Sequence, residues 1–155
     1  MHAGQSSMRV RAYREADWSE WLRMNVALFP EYSAGDLAQG MKEFRERDDA
    51  DVFLAERDDG AVVGFVEVGS RPYADGCNTN PVGYIEAWWV DPDVRRVGYG
   101  RALLAAAEDW GRMRGYTEMA SDALLDNMVS HTAHKRAGYE EVGRIVQFRK
   151  FLRGR

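Results

Sequence analysis

A single cysteine, Cys77, stands in 155 residues, so no internal disulfide can form and nothing points to an oxidising compartment. It lies in a loop, without a helix start or a neighbouring base, which argues against a nucleophile. Prolines number four, and no apolar run approaches the roughly 20 residues of a membrane helix. The N-terminal MHAGQSSMRVRAY lacks the apolar core of a secretory signal. Excess positive charge is missing too. Lys and Arg total 21 against 25 Asp and Glu, a net charge of −4, whereas nucleic-acid binders present a basic face. These absences predict a cytoplasmic protein with neither membrane nor nucleic-acid partner. Of three histidines, His131 and His134 could share a helix face, but no third ligand accompanies them, so no metal is expected.

What remains is ordinary globular composition, 45% hydrophobic and 30% charged, enough for one core and too short for two. Residues 1–7 read as a disordered tail, and 8–155 as one domain. MRVRAY alternates like a strand. Asp17 is expected to cap a helix through WSEWLRMNVALF, ended by Pro30. Ser33 with Asp36 resembles a capping box opening a second helix to about Arg47. DVFLAER and AVVGFVEVGS flank Asp58-Asp59-Gly60, a hairpin signal. After a polar loop (71–81), YIEAWWV reads as a buried strand.

A helix through ALLAAAEDW follows, stopped by Gly115, then a short strand EMASD. A helix from about Asn127 to Ala137 ends at Gly138, and YEEVGRIVQFRKFL is expected to supply one or two closing strands. The order β-α-α-β-β-β-α-β-α-β is mixed α/β: one sheet with helices packed on it.

Gly98 and Gly100 stand directly before the strongest helix former in the chain, where each costs roughly 1 kcal/mol against Ala if helical. A helix start carries unpaired N–H groups and partial positive charge, so it attracts anions. Arg95, Arg96 and Arg101 add charge around Val97, Gly98, Tyr99 and Gly100. The alternative is a plain strand-to-helix turn with solvated arginines. A Walker loop is excluded by the missing Gly-Lys-Ser/Thr, and a dinucleotide fingerprint by Leu103 where a third glycine belongs.

Arg95-x-x-Gly98-x-Gly100, after an apolar strand and before an amphipathic helix, resembles the acetyl-CoA pyrophosphate loop of the GNAT acetyltransferases. Asn127, the helix after it and Ala-Gly-Tyr-Glu-Glu (137–141) resemble that superfamily's closing motif. YADGCNTNPVGYIEAWWVDP and EMASDALLDN are similar to stretches of the 6′-N-aminoglycoside acetyltransferases. The resemblance covers nearly the whole chain. It implies a GNAT-type fold: a central, mostly antiparallel twisted sheet with a splayed strand pair, flanked by about four helices.

It also implies acetyl-CoA as cofactor. Backbone groups of Trp89 and Val90 would pair with pantetheine, amides from Val97 to Arg101 would hold the pyrophosphate, and Asn127 would contact the cofactor arm. The implied acceptor is a primary amine, protonated at neutral pH, which a carboxylate must attract and deprotonate before attack on the thioester. Glu86 and Asp122 are the matching acids. A mid-strand carboxylate such as Glu86 needs a reason to be there, catalysis or a salt bridge, and Asp122 is otherwise a cap or turn residue. An aminoglycoside is a polycation, and Trp21, Phe29, Glu31, Tyr73, Asp75 and Trp88 are candidates to wall its pocket. Trp21 and Phe29 are equally expected in the core, and strict alternation would place Tyr84, Glu86 and Trp88 on one face.

Phe148 stands where many GNAT enzymes have a proton-donating Tyr, and Tyr139 lies in the Gly-Tyr turn, so the acid for the leaving thiolate is unassigned. The related enzymes are commonly dimers, which implies a homodimer. Another amine acceptor (a polyamine, a peptide N-terminus or a small metabolite) and a non-catalytic acyl-CoA-binding module are the alternatives.

Overall fold

The alternating N-terminal segment becomes strand β1 (Arg9–Ala12) in a computed structural model that describes residues 8–154. The expected tail, residues 1–7, lies outside the described residues. Helices α1 (Trp18–Leu28) and α2 (Ala34–Arg45) follow, then strands β2 (Ala50–Glu56), β3 (Val62–Arg71) and β4 (Val82–Val90). Helix α3 (Tyr99–Met113), strand β5 (Met119–Ser121) and helix α4 (Met128–Arg136) complete the elements. The five strands lie in sequence order; the first three neighbouring pairs are antiparallel and β4–β5 is parallel. This is the expected mixed α/β architecture.

Local chemistry accounts for most boundaries. The Ser33 hydroxyl accepts from the Asp36 N–H at 3.1 Å and opens α2. Asp17 behaves differently from expectation. It does not cap α1; its carboxylate accepts from the Arg14 N–H and takes a two-pronged ion pair from Arg11, both at 2.8 Å. Arg11 also bonds Glu56, so the pair ties β1 to β2 and to the turn before α1.

The sheet has two covered faces. Phe65 and Ala87 meet Trp21, Met24, Val52 and Leu54 on the α1 side. On the other side α3 packs on β3 and β4 with Leu103, Leu104 and Ala107 buried. Gly64 marks how closely backbone and helix approach there. A Cβ on it would lie 2.8 Å from the Trp89 carbonyl oxygen and 3.1 Å from Leu103 Cδ1.

Tertiary contacts divide the chain into one unit ending at Asp122 and a smaller one from Ala123. The second unit contains α4, capped by Asn127, whose side-chain oxygen accepts from the Ser130 N–H at 3.1 Å. The closing strands are a correction: residues 139–154 carry no regular structure, and Val142, Ile145, Val146, Phe148, Phe151 and Leu152 are exposed. Strand propensity alone does not hold a strand, because its backbone groups need a partner. No helix among the described residues is long and apolar enough to cross a membrane.

Gly64→Ala must displace a backbone carbonyl, not a flexible side chain. It is expected to cost roughly 1–3 kcal/mol, read as a lower midpoint in denaturant with an unchanged slope.

Candidate active site

Strand β4 contains one residue too many. Glu67 pairs with Ala87 and Val68 with Ile85, so Glu86 has no counterpart on β3. Such a bulge sets two residues, Glu86 and Ala87, opposite one and reverses the alternation beyond it. Tyr84 and Glu86 therefore share the α1 face, whereas Trp88 is turned to the α3 face. This corrects the expectation of a common face for all three. Trp88 Nε1 donates to the Gly100 carbonyl at 3.1 Å, and a Cβ on Gly100 would lie 3.0 Å from the indole ring. Gly100 is small to admit Trp88.

On the α1 face, acidic and basic groups interlock. Arg71, at the end of β3, holds both oxygens of Glu86 through Nε at 2.8 Å and Nη2 at 2.7 Å. Its guanidinium lies 3.5 Å above the Tyr84 ring. The Glu86 carboxylate pushes the affinity of Arg71 for its proton further up, and burial opposes this. The Tyr84 hydroxyl donates to Asp122, and burial, followed by that bond, raises the hydroxyl above its ordinary range. Glu86 and Asp122 thus come together through Arg71 and Tyr84, neither of which the sequence reading singled out. Arg71 stands two residues before Tyr73, at the end of β3, and Tyr84 two residues before Glu86 on β4.

Glu67 lies one register step away, buried, with Trp21 Nε1 at 3.4 Å. Burial pushes its carboxyl up to about 7, partly offset by Trp21 and Asn25, while the Glu86 charge adds to the rise. Trp21 is fully buried in the core, so it walls no pocket. Phe29 is half-buried against that core, and its ring contacts Tyr32 edge-on with centroids 6.4 Å apart. Tyr73 is exposed and donates to Asp75 at 2.7 Å. Its loop is held by Glu118: the N–H groups of Asn78 and Thr79 both donate to one carboxylate oxygen at 2.8 Å. Burial and Glu118 push the Cys77 thiol up.

Parallel pairing of β4 with β5 covers Gly83, Tyr84 and Ile85 and then stops. From Glu86 to Val90, β4 has no strand on that side among the described residues, which is the expected splay. The Asp91 N–H donates to the Val63 carbonyl at 2.8 Å. Antiparallel alternation then turns the N–H and C=O groups of Val90 and Trp88 away from β3, and those of Trp89 toward it. The edge facing the gap is Trp88 and Val90, a correction to Trp89. Arg95 Nε donates to the Val90 carbonyl at 2.8 Å, with its guanidinium 4.7 Å from the Trp89 ring centre.

At the end of that edge α3 begins. Gly98 adopts φ 103°, a left-handed conformation that glycine takes without steric cost, and brings no side chain to cap the first turn. Arg96 takes φ 66°, and Arg95, Arg96 and Val97 are exposed. A helix start, exposed arginines and an open strand edge suit an extended ligand with a negatively charged end.

Residues 12–139 match the acetyltransferase (GNAT) family. The chain belongs to the GNAT acetyltransferases. The match runs across both units. An aminoglycoside N(6′)-acetyltransferase type 1 from Klebsiella aerogenes is 41% identical over 150 residues, covering 95% of this chain and 99% of the relative. Among solved structures, the aminoglycoside 6′-N-acetyltransferase AAC(6′)-Ih from Acinetobacter baumannii superposes with a TM-score of 0.86 at 31% identity, covering 94% of this chain and 99% of that one. AAC(6′)-Iy in complex with the bisubstrate analogue CoA-S-monomethyl-acetylneamine gives 0.87 at 30% identity, covering 95% and 100%. As a GNAT acetyltransferase the chain uses acetyl-CoA, and its open β4 edge and the start of α3 fit that ligand's two ends.

Glu67 gives a stability test. Its folded value lies above the roughly 4.3 of an unfolded glutamate, so the folded chain keeps a proton that the unfolded chain releases. The stabilisation is complete below that value and is lost as pH rises through about 7. Unfolding measured from pH 5 to 8 should weaken by up to roughly 3 kcal/mol more in the parent chain than in Glu67→Gln. Parallel pH profiles would contradict the assignment.

Proposed function

We propose that this GNAT acetyltransferase moves the acetyl group of acetyl-CoA to the 6′-amine of aminoglycosides, by direct attack in a ternary complex. The observation that carries the reading is the meeting of Glu86 and Asp122 beside a strand edge that opens toward the start of α3. The named relatives support the acceptor. Residues 8–155 are read as one acetyltransferase domain, working in the cytoplasm and conferring resistance.

In this reading the pyrophosphate rests on the first turn of α3 after Gly98, with Arg95, Arg96 and Arg101 around it and Val97, Tyr99 and Gly100 supplying backbone. Pantetheine lies along Trp88 and Val90 as a further strand would, releasing Arg95 from the Val90 carbonyl. An N–H at the bulge polarises the thioester carbonyl, an interaction worth a few kcal/mol when preorganised. Asn127 is assigned to the cofactor arm on the family resemblance.

The cationic acceptor enters over Tyr73 and Phe29 and is drawn by Glu86 and Asp122. Its ammonium gives up a proton to Glu86, directly or through water, since each carboxylate oxygen keeps lone pairs beyond those that Arg71 engages. Asp122 is held by Tyr84 to fix the amine. The freed lone pair attacks the carbonyl carbon, the C–S bond breaks, and the nitrogen sheds its second proton to solvent as the thiolate takes one up.

A panel of amines assayed by release of free thiol should rank kanamycin-type aminoglycosides above spermidine and peptides. Glu86→Gln and Asp122→Asn should each lower turnover by about 10²–10⁴-fold with acetyl-CoA binding retained. Turnover unchanged in the double variant would favour a non-catalytic acyl-CoA-binding module.

We also propose a homodimer, because the exposed apolar side chains from Val142 to Leu152 need cover. Light scattering at micromolar concentration should give twice the 17.6 kDa chain mass, and Phe148→Asp with Leu152→Asp should return it to one.

A further inference from the structure

Glu67 is a carboxyl that the transfer steps leave unused, and its surroundings are unusual for an acid. Its side chain is buried in the sheet core. The group bonding it is a neutral donor, the Trp21 indole of α1 at 3.4 Å, and the Asn25 amide, which donates to the Trp21 carbonyl at 3.2 Å, is neutral too. From β2 it meets Val52, and from β4 Ala87, both apolar. The ionisable group whose charge acts on it is Glu86, one bulge position along β4, with Arg71 clamped on both oxygens of Glu86. Two acids thus share one face with one cation, and that cation is bonded to Glu86.

We propose that Glu67 is a positioning residue for the acceptor: it holds its proton in the empty site and gives it up when a polycation settles against Glu86, so the bound acceptor meets a second negative charge from beneath. The O–H bond of Glu67 breaks, the proton leaves to solvent, and no other bond changes. The inference rests on the aminoglycoside reading above.

The charge balance is what makes this work. Arg71 and Glu86 cancel, so Glu67 in the empty site experiences little net positive charge to hold it ionised, and burial favours its neutral form. An acceptor ammonium beside Glu86 leaves one positive charge uncancelled a single register step from Glu67. An opposite charge within about 4–6 Å lowers a carboxyl by about 1–3 in pKa. Glu67 then moves from its value of about 7 into the range where it is ionised at neutral pH. The extra charge strengthens binding of the cation and does nothing for the thioester, so its effect belongs in the KM for the acceptor. A neutral acceptor would gain nothing from it, which makes Glu67 selective for cations.

The test uses the full chain carrying ¹³C-carboxyl glutamate, titrated by NMR with and without a saturating kanamycin-type aminoglycoside. Glu67 should titrate near neutrality in the free protein and at least about 1 lower with the aminoglycoside bound. Calorimetry at pH 6.5 in two buffers of different ionisation enthalpy should count up to one more proton released by the parent chain than by Glu67→Gln. In turnover, Glu67→Gln should raise the aminoglycoside KM about 5–10-fold at pH 8 and little at pH 5.5, with kcat and the acetyl-CoA KM close to the parent values. A Glu67 titration unmoved by a bound aminoglycoside, or equal proton counts, overturns this proposal alone. Failure of any aminoglycoside to bind the parent chain overturns the acceptor reading and takes this proposal with it. The NMR measurement needs no variant, so a poorly folding Glu67→Gln cannot blur the result.

Discussion

At Glu86 and Ala87, two residues of β4 share one neighbour on β3, and the arrangement of the site follows from that mismatch. Glu86 keeps the face of Tyr84 and Arg71, and the extra residue sends Trp88 through to the other side. It also lies where β4 loses its parallel partner, since the register with β5 ends at Ile85. A regular strand would have kept Trp88 on the face of Tyr84 and Glu86. One added backbone unit sets Glu86 and Ala87 opposite a single residue, next to the point where the pairing with β5 ends.

The charges around the bulge are arranged to be used without being solvated away. Arg71 stands over the Tyr84 ring and grips Glu86, so the carboxylate is fixed in direction while part of it stays accessible. The Tyr84 hydroxyl does the same for Asp122 from the other side. Each acid is aimed by a neighbour on β3 or β4, and β3 is held from the opposite face by the buried side chains of Val66 and Val68. Sites built on strands in this way hold their geometry better than sites on loops.

Much of this was legible from residue order. Periodicity, caps and turn residues located four helices and five strands, and Arg95-x-x-Gly98-x-Gly100 marked the helix start that faces the gap. Glu86 and Asp122 were visible as acids in places that needed explaining. What could not be read was the register. A bulge leaves no mark on an alternating run such as YIEAWWV, so Trp88 was assigned to the wrong face and Trp89 to the gap edge. Trp21 was ambiguous because a helix wall and a helix core share one spacing, and only the sheet it packs on decides. The VGRIVQFRKFL segment shows the opposite failure: its composition suits a strand, but composition does not supply the second strand that would satisfy its backbone.

The contact between Trp88 and Gly100 joins two parts of the molecule that would otherwise move separately. The indole bonds the Gly100 carbonyl and occupies the room a β-carbon would need, so the first turn of α3 is keyed to the strand edge beside it. In the proposed reading a nucleotide thioester touches both places at once, with its diphosphate at one end and a flexible arm at the other. With the two landing points keyed by a side chain of the protein itself, the spacing between them is set during folding and the arm alone has to adapt. In that reading the tryptophan serves as a ruler for the distance from the anchored charge to the reactive carbonyl.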